Sequence, residues 1–90
     1  MLVHDPLYDV IMMWNPYKDS VPYKKYCAES LCNILGYTSG LSVKIVYEAV
    51  ERGRGLVLST KNIDKAAEVR DRMLALGIET AIAKIDTTVQ

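Results

Sequence analysis

The chain has 90 residues, half of them apolar, with 11 Lys and Arg against 11 Asp and Glu. This composition predicts one small folded domain, because disordered chains are poorer in apolar residues and a second core needs a longer chain. Zero formal charge argues against binding nucleic acid through its phosphates, which requires clustered Lys and Arg. So short a chain has little room for an enclosed active site, and a partner-binding module is expected rather than an enzyme.

The sequence also carries signals of the cellular compartment in which the protein is found. No segment approaches the roughly 18 uncharged apolar residues of a spanning helix, and His4 and Asp5 stand where a signal peptide is basic and then apolar. Cys27 and Cys32 form neither a CxxC pair nor a disulfide framework, and are expected to be buried thiols. The sequence therefore predicts a cytoplasmic protein.

The first predicted elements are a strand and a helix. The apolar, β-branched segment Tyr8–Trp14 predicts a strand that ends at the turn-forming pair Asn15-Pro16. A polar loop over 15–20 leads to Pro22, which is tolerated in the first turn of a helix. That helix stops at Gly36, and its inward positions are Tyr23, Tyr26, Cys27, Leu31, Ile34 and Leu35.

The second predicted helix forms a hairpin with the first. Thr38 or Ser39 caps its start and Gly53 closes it. Its inward positions are Leu41, Ile45, Val46, Ala49 and Val50.

The remaining chain predicts strand, helix and strand. Arg54–Ser59 is too short for a helix and predicts the second strand. A third helix, capped by Thr60 or Asn62, ends at Gly77, with Ile63, Ala66, Ala67, Val69, Met73 and Leu76 inward. The third strand is predicted over Ile78–Ile85, followed by a frayed tail over Asp86–Gln90.

The order β-α-α-β-α-β predicts an α+β domain covering residues 1–90, with three helices on one face of a three-stranded antiparallel sheet. The deepest positions of the predicted stripes are expected to be almost fully buried. These are Leu31, Ile45, Val57 and Met73.

No group of residues in the sequence predicts catalysis. His4 is the only histidine and precedes the first strand, so no base accompanies either cysteine and no metal cluster is indicated. The run Arg52-Gly53-Arg54-Gly55 lacks the strand before it and the helix after it that phosphate-binding loops require. We expect a non-enzyme without cofactor or metal.

Several local strings, in their order and spacing, resemble the ClpS family, the small adaptors that deliver substrates to the Clp ATP-dependent protease. The resemblance covers about Tyr8 to Ile85. It rests on Val10-Ile11-Met12-Met13-Trp14-Asn15, Gly36-Tyr37-Thr38, Glu51-Arg52-Gly53-Arg54-Gly55-Leu56-Val57 and Leu76-Gly77-Ile78-Glu79-Thr80-Ala81.

The resemblance implies a site for the first residue of a substrate. The family holds the substrate's α-amino group with an Asn-Asp-Asp turn and a His, and its side chain in a Met-edged apolar pocket. Asn15 matches the Asn, Pro16 and Tyr17 replace the two acids, and Val50 stands at the His position. The longer loop here brings Asp19 into consideration as a replacement carboxylate. The gate falls near Tyr23 or Lys24, and the pocket wall falls at Cys27, Val46 and Ala49.

The resemblance also implies a Clp-family ATPase as partner, docked at the start of the third helix, where Asn62–Ala67 do not clearly keep the family's residues. Two hypotheses follow. The chain is a ClpS-like adaptor or regulator with altered or lost recognition of substrate N-termini, or it is a non-enzymatic interaction module of the same fold with an unrelated partner.

Overall fold

The computed structural model describes residues 3–4, 6–85 and 88–89. The elements follow the predicted order, with a short strand added at each end. They are β1 (Val3–His4), β2 (Leu7–Met13), a 3-10 turn (Pro16–Lys18), α1 (Val21–Leu35), α2 (Ser39–Arg52), β3 (Arg54–Thr60), α3 (Ile63–Ala75), β4 (Thr80–Ile85) and β5 (Thr88–Val89).

The main sheet has the order β3-β2-β4, and both pairings are antiparallel. β2 is central, which agrees with its apolar, β-branched sequence. Val10 lies opposite Leu58 and Ile11 opposite Leu56, so Val57 is the extra residue of a β-bulge. The predicted α+β architecture is confirmed.

β1 and β5 form a second, two-stranded antiparallel sheet, in which Val3 lies opposite Val89 and His4 opposite Thr88. The prediction of a frayed tail is wrong for Thr88–Val89, because backbone pairing between the two ends of the chain leaves no local signature in either segment. The other tail residues, 86, 87 and 90, lie outside the described residues.

Each helix begins at a side-chain cap. Ser20 Oγ accepts from the Tyr23 N–H, Thr38 Oγ1 from the Leu41 N–H, and Asn62 Oδ1 from two N–H groups of α3. α1 begins at Val21, one residue before the predicted Pro22. α3 ends at Ala75, since the Gly77 N–H already bonds the Leu74 carbonyl in a closing turn.

The core lies between the sheet and the helices. The predicted deep positions are confirmed, with exposed fractions of 0% to 7%. Four residues were predicted to face inward, and for them the prediction is wrong: Tyr26, Leu41, Ile63 and Leu76 are 41% to 52% exposed. Leu41 and Ile63 lie in the first turn of a helix and Leu76 follows the last residue of α3. An apolar stripe predicts which way a helix face points, but it does not ensure that another element covers the ends of that face. Buried apolar residues of the core are Val10, Met12, Cys27, Leu31, Ile45, Val46, Ala49, Val57, Ala66, Val69, Met73 and Ile78.

α2 lies unusually close to β3. A Cβ placed on Gly55 would lie 2.7 Å from the Ile45 carbonyl oxygen, so only glycine fits there. Two side chains also join this region to β3: the Tyr37 hydroxyl donates to the Val57 carbonyl (2.8 Å), and Glu48 Oε1 accepts from the Leu56 N–H (3.2 Å).

Candidate functional site

The turn after β2 is closed by its own groups. Asn15 Oδ1 accepts a hydrogen bond from the Tyr17 N–H (2.9 Å), and Pro16 occupies the first position of the 3-10 turn. The backbone N–H of Trp14 donates to the Gly53 carbonyl, and this bond joins the end of β2 to the end of α2. The side-chain oxygen of Asn15 is therefore already engaged with the backbone of its own turn.

Asp19 lies at the end of the same turn. Its carboxylate forms an ion pair with Lys24 Nζ at 3.2 Å, and about a third of each side chain is exposed. An exposed pair of this kind contributes about 0–1 kcal/mol. The carboxylate thus faces the first turn of α1.

An aromatic cluster covers the side of the turn nearest the core. The ring centroids of Trp14 and Tyr23 lie 5.2 Å apart, and those of Tyr23 and Tyr26 lie 6.4 Å apart. These separations fall in the range of favourable ring contacts, worth about 0.5–1.5 kcal/mol per pair. The Tyr26 hydroxyl donates to the Leu76 carbonyl (2.6 Å), which joins the cluster to the end of α3.

The Lys18 ammonium lies against this cluster. Its Nζ is 5.7 Å from the centroid of the Tyr23 ring and donates to the Gly77 carbonyl at 3.2 Å. Lysine within about 6 Å of a ring face is attracted by the negative charge of that face. Lys18 therefore connects the turn to the segment between α3 and β4.

Burial changes the titration of the residues beneath Lys18. Burial raises the pKa of Tyr23 to about 12, and its neighbour Cys27 adds to the rise. Burial also raises the pKa of Cys27, while the hydrogen bond with Tyr23 and the charge of Lys18 act in the opposite direction. Both groups are thus neutral at physiological pH.

Five of the predicted site residues lie in the hydrophobic core or pack against it. Cys27, Val46 and Ala49 are 0–3% exposed and belong to the core, with Tyr23 and Val50 packed against it as half-buried residues. Val46 also lines a groove between α1 and α2. The other walls of that groove include Lys24, Ala28, Val43 and Tyr47.

Asn15 is half-buried and Asp19 is exposed, and both belong to the turn that leads into α1. Sequence reasoning did not include Lys18, Trp14 or the Gly77 carbonyl in the site. The aromatic residues Trp14 and Tyr23 could have been noticed in the sequence. The hydrogen bond between Lys18 and the Gly77 carbonyl could not, because it joins residues 59 positions apart.

Among the residues described, no three His, Cys, Asp or Glu side chains are grouped to hold a metal ion. None of the described helices has the length and apolar character needed to span a membrane. What the site presents is an ammonium, an aromatic face and backbone carbonyls, which are groups suited to binding.

Comparison with solved structures identifies the architecture. A structure of ClpS2 from Agrobacterium tumefaciens bound to L-phenylalaninamide superposes with a TM-score of 0.65, covering 92% of this chain and 99% of that chain. The fold is that of ClpS. Sequence identity to this ClpS2 is 16%, so the likeness to ClpS is one of fold. No protein-family model matches the sequence, and comparison with curated proteins gives no similar protein.

Proposed function

We propose that the chain is a ClpS-like adaptor or regulator that binds a Clp-family ATPase, substrate peptides or both, with altered or lost recognition of substrate N-termini. The observation that carries the proposal is the superposition on ClpS2 over nearly the full length of both chains. The proposal includes a non-catalytic role in protein degradation in the cytoplasm. Fold alone does not determine a partner, so the residues decide how recognition differs.

The proposed change in recognition rests on three positions. A desolvated α-ammonium needs acceptors or negative charge, and the resemblance assigns that task to the turn and to the position of Val50. Here Asn15 Oδ1 is bonded to its own turn, Asp19 is paired with Lys24, and Val50 has no polar atom in its side chain. Each charge-assisted bond that is lost removes about 1.5–3 kcal/mol. Binding of peptides with N-terminal Leu, Phe, Tyr or Trp is therefore expected to be at least about a hundredfold weaker than with a full motif.

Calorimetry with peptides that differ only in their first residue tests this change. We expect a Leu-initiated peptide to bind weakly or not at all. A dissociation constant in the low micromolar range or tighter would contradict the proposed loss. If weak binding survives, the proposal that Asp19 supplies the replacement carboxylate predicts that Asp19→Asn abolishes it, with Lys25→Met as a control. Binding unaffected by Asp19→Asn would rule out that role.

The partner is tested separately at the start of α3. The resemblance places ATPase docking at Asn62–Ala67, where Ile63 is 52% exposed. We expect Ile63→Ser to weaken binding to a Clp-family ATPase from the same organism. Leu74→Ser is the matched control, because Leu74 is 47% exposed near the other end of α3. Absence of ATPase binding by the unmodified chain would favour the alternative, an interaction module with an unrelated partner.

A further inference from the structure

The side of the main sheet that faces away from the helices carries mostly apolar residues. Val10, Met12 and Val57 point into the core and are at most 3% exposed, so the residues that alternate with them point to the opposite, outer face. The pairing register arranges the outer-face residues in rows across the sheet: Leu7 with Ile85, Ser59 with Asp9 and Ala83, Leu56 with Ile11 and Ala81, and Arg54 with Met13. All of them are half-buried or exposed, and Leu56 and Ile85 are 45% and 43% exposed. The outer face is therefore an apolar surface open to a partner.

Two charges lie among these apolar residues. Asp9 and Arg54 line a groove of about 450 Å³ on the outer face, together with Ile11 and Leu56. The Asp9 carboxylate accepts a hydrogen bond from the Ser59 hydroxyl (2.6 Å), but neither Asp9 nor Arg54 forms an ion pair with another described residue. Burying a charge without a partner is strongly unfavourable. A molecule that covers the outer face must therefore supply a cation for Asp9 and an anion for Arg54.

A second copy of this chain supplies both. The Ile11 row lies midway between the Asp9 row and the Arg54 row. When two outer faces stack about a two-fold axis that crosses the strands at Ile11, the Asp9 row of each copy lies over the Arg54 row of the other. Stacked sheets are about 10 Å apart, a distance that the side chains of an arginine and an aspartate span together. The apolar Ile11 row then packs against its own copy at the axis, with an ion pair on either side.

The charges also disfavour the other way of stacking two outer faces. An axis parallel to the strands, along β2, would place Asp9 of each copy over Asp9 of the other. Like charges brought together in an interface are unfavourable, whereas the axis across the strands gives two Asp9–Arg54 pairs. The positions of these two residues therefore select the relative direction of the strands as well as the partner.

The dimensions of the outer face predict a dimer of modest affinity. The sheet has three strands, and its central strand has seven residues. At about 4.8 Å between strands and about 3.3 Å per residue, the face measures about 14 by 23 Å. Its area is a few hundred Å² per copy, below the roughly 800 Å² that a standard interface buries on each partner. We expect dissociation in the micromolar range, as for a weak, reversible dimer.

We propose that the chain forms a two-fold symmetric dimer through the outer face of its sheet, with the Ile11 row at the axis and Asp9 of each copy paired with Arg54 of the other. The proposal goes beyond the adaptor function, because the residues assigned to peptide and ATPase binding belong to α1, α2, α3 and the turn after β2. A dimer would present each of those sites twice in one assembly.

Charge reversal on the outer face tests the arrangement by sedimentation equilibrium of the full chain, from about 10 μM to about 1 mM. Arg54→Glu places a carboxylate against Asp9, and Asp9→Lys places an ammonium against Arg54, so each variant alone is expected to dimerise at least about tenfold more weakly. An equal mixture of the two variants combines opposite charges at both pairs and is expected to regain the affinity of the unmodified chain. Arg72→Glu is the matched control, because Arg72 is an exposed arginine on α3, and it is expected to leave the affinity unchanged.

The apolar part of the outer face has its own test. Leu56→Ser removes an exposed leucine from the Ile11 row and is expected to weaken the dimer at least about tenfold. Leu74→Ser is its control, because it makes the same change on α3 at a similar exposure, 47% against 45%. Urea unfolding at low concentration checks that each variant folds. Arg54→Glu and Leu56→Ser keep the test decisive if Asp9→Lys, which loses the Ser59 bond, does not fold.

Three results would overturn the proposal. A chain that remains monomeric up to about 1 mM would leave the outer face to a different protein. A dimer that Arg54→Glu and Leu56→Ser leave intact would place the contact elsewhere, and a mixture as weak as its two components would contradict the two-fold arrangement. Because these measurements contain no ATPase or peptide, failure of the dimer and failure of the adaptor function are observed separately.

Discussion

The close approach of α2 and β3 gives a stability prediction that can be worked from distances. In Gly55→Ala the new Cβ would lie 2.7 Å from the Ile45 carbonyl oxygen, and 3.2 and 3.3 Å from Ala49 Cβ and N. Real Cβ atoms do not approach backbone oxygen so closely, and the obstructing atom belongs to a helix backbone, so α2 or β3 must move. Overpacking of this kind costs about 1–3 kcal/mol.

One opposing effect reduces that cost. Replacing glycine restricts the unfolded chain and stabilises the fold by about 0.4–1 kcal/mol where the native backbone is compatible. We therefore expect Gly55→Ala to lose about 1–2 kcal/mol, a fall in melting temperature of about 5–15 °C for a domain of this size. Urea unfolding followed by Trp14 fluorescence measures the loss. Trp14 also reports on this region directly, because its backbone N–H donates to the Gly53 carbonyl at the end of α2.

Gly40→Ala is the control. Gly40 lies in the first turn of α2, and a Cβ there meets nothing within 4 Å. Alanine is favoured over glycine in a helix by about 0.5–1 kcal/mol, so this variant should be unchanged or more stable. If Gly55→Ala were as stable as Gly40→Ala, the steric argument for the α2–β3 contact would be refuted.

Two other predictions concern the core and the aromatic cluster. Leu31→Ala should lower the free energy of unfolding by about 2–5 kcal/mol, because Leu31 is fully buried. Leu74→Ala, at an exposed position, should change it by less than about 0.5 kcal/mol. Equal urea midpoints for the two variants would contradict the assignment of buried and exposed faces. The pKa of Tyr23 is raised to about 12 from the 10 of an unfolded chain, so its contribution to stability is complete below pH 10 and is lost as the pH rises toward 12. The free energy of unfolding, measured from pH 8 to 12, should fall less steeply for Tyr23→Phe than for the unmodified chain. Parallel curves for the two proteins would show that Tyr23 ionises as freely in the folded state as in the unfolded chain.

Local sequence patterns predicted the fold because the elements carry their own boundaries. Ser or Thr caps and helix-ending glycines are read within a few residues, and stripes of apolar residues identified Leu31, Ile45, Val57 and Met73 as core. The same stripes gave the wrong side for Leu41, since burial also depends on whether another element covers that turn.

The site was less accessible from sequence. The resemblance selected Tyr23 and Cys27, which lie close enough in the structure for each to shift the pKa of the other. The contact of Lys18 with the Gly77 carbonyl depends on how α3 returns the chain to the turn after β2. No periodicity, cap or turn signal encodes a bond between a side chain and a carbonyl that distant.

The two side-chain bonds along β3 also affect how the folded protein behaves at high concentration. An edge strand with free N–H and C=O groups is a template on which another chain can add a strand and begin aggregation. On β3 the Leu56 N–H is already bonded to Glu48 and the Val57 carbonyl to Tyr37. A strand that pairs at Leu56 must displace the Glu48 bond, worth about 0.5–1.5 kcal/mol, and at Val57 it meets a carbonyl that already accepts one bond. Glu48 and Tyr37 therefore protect an apolar edge against self-association while they hold α2 in place.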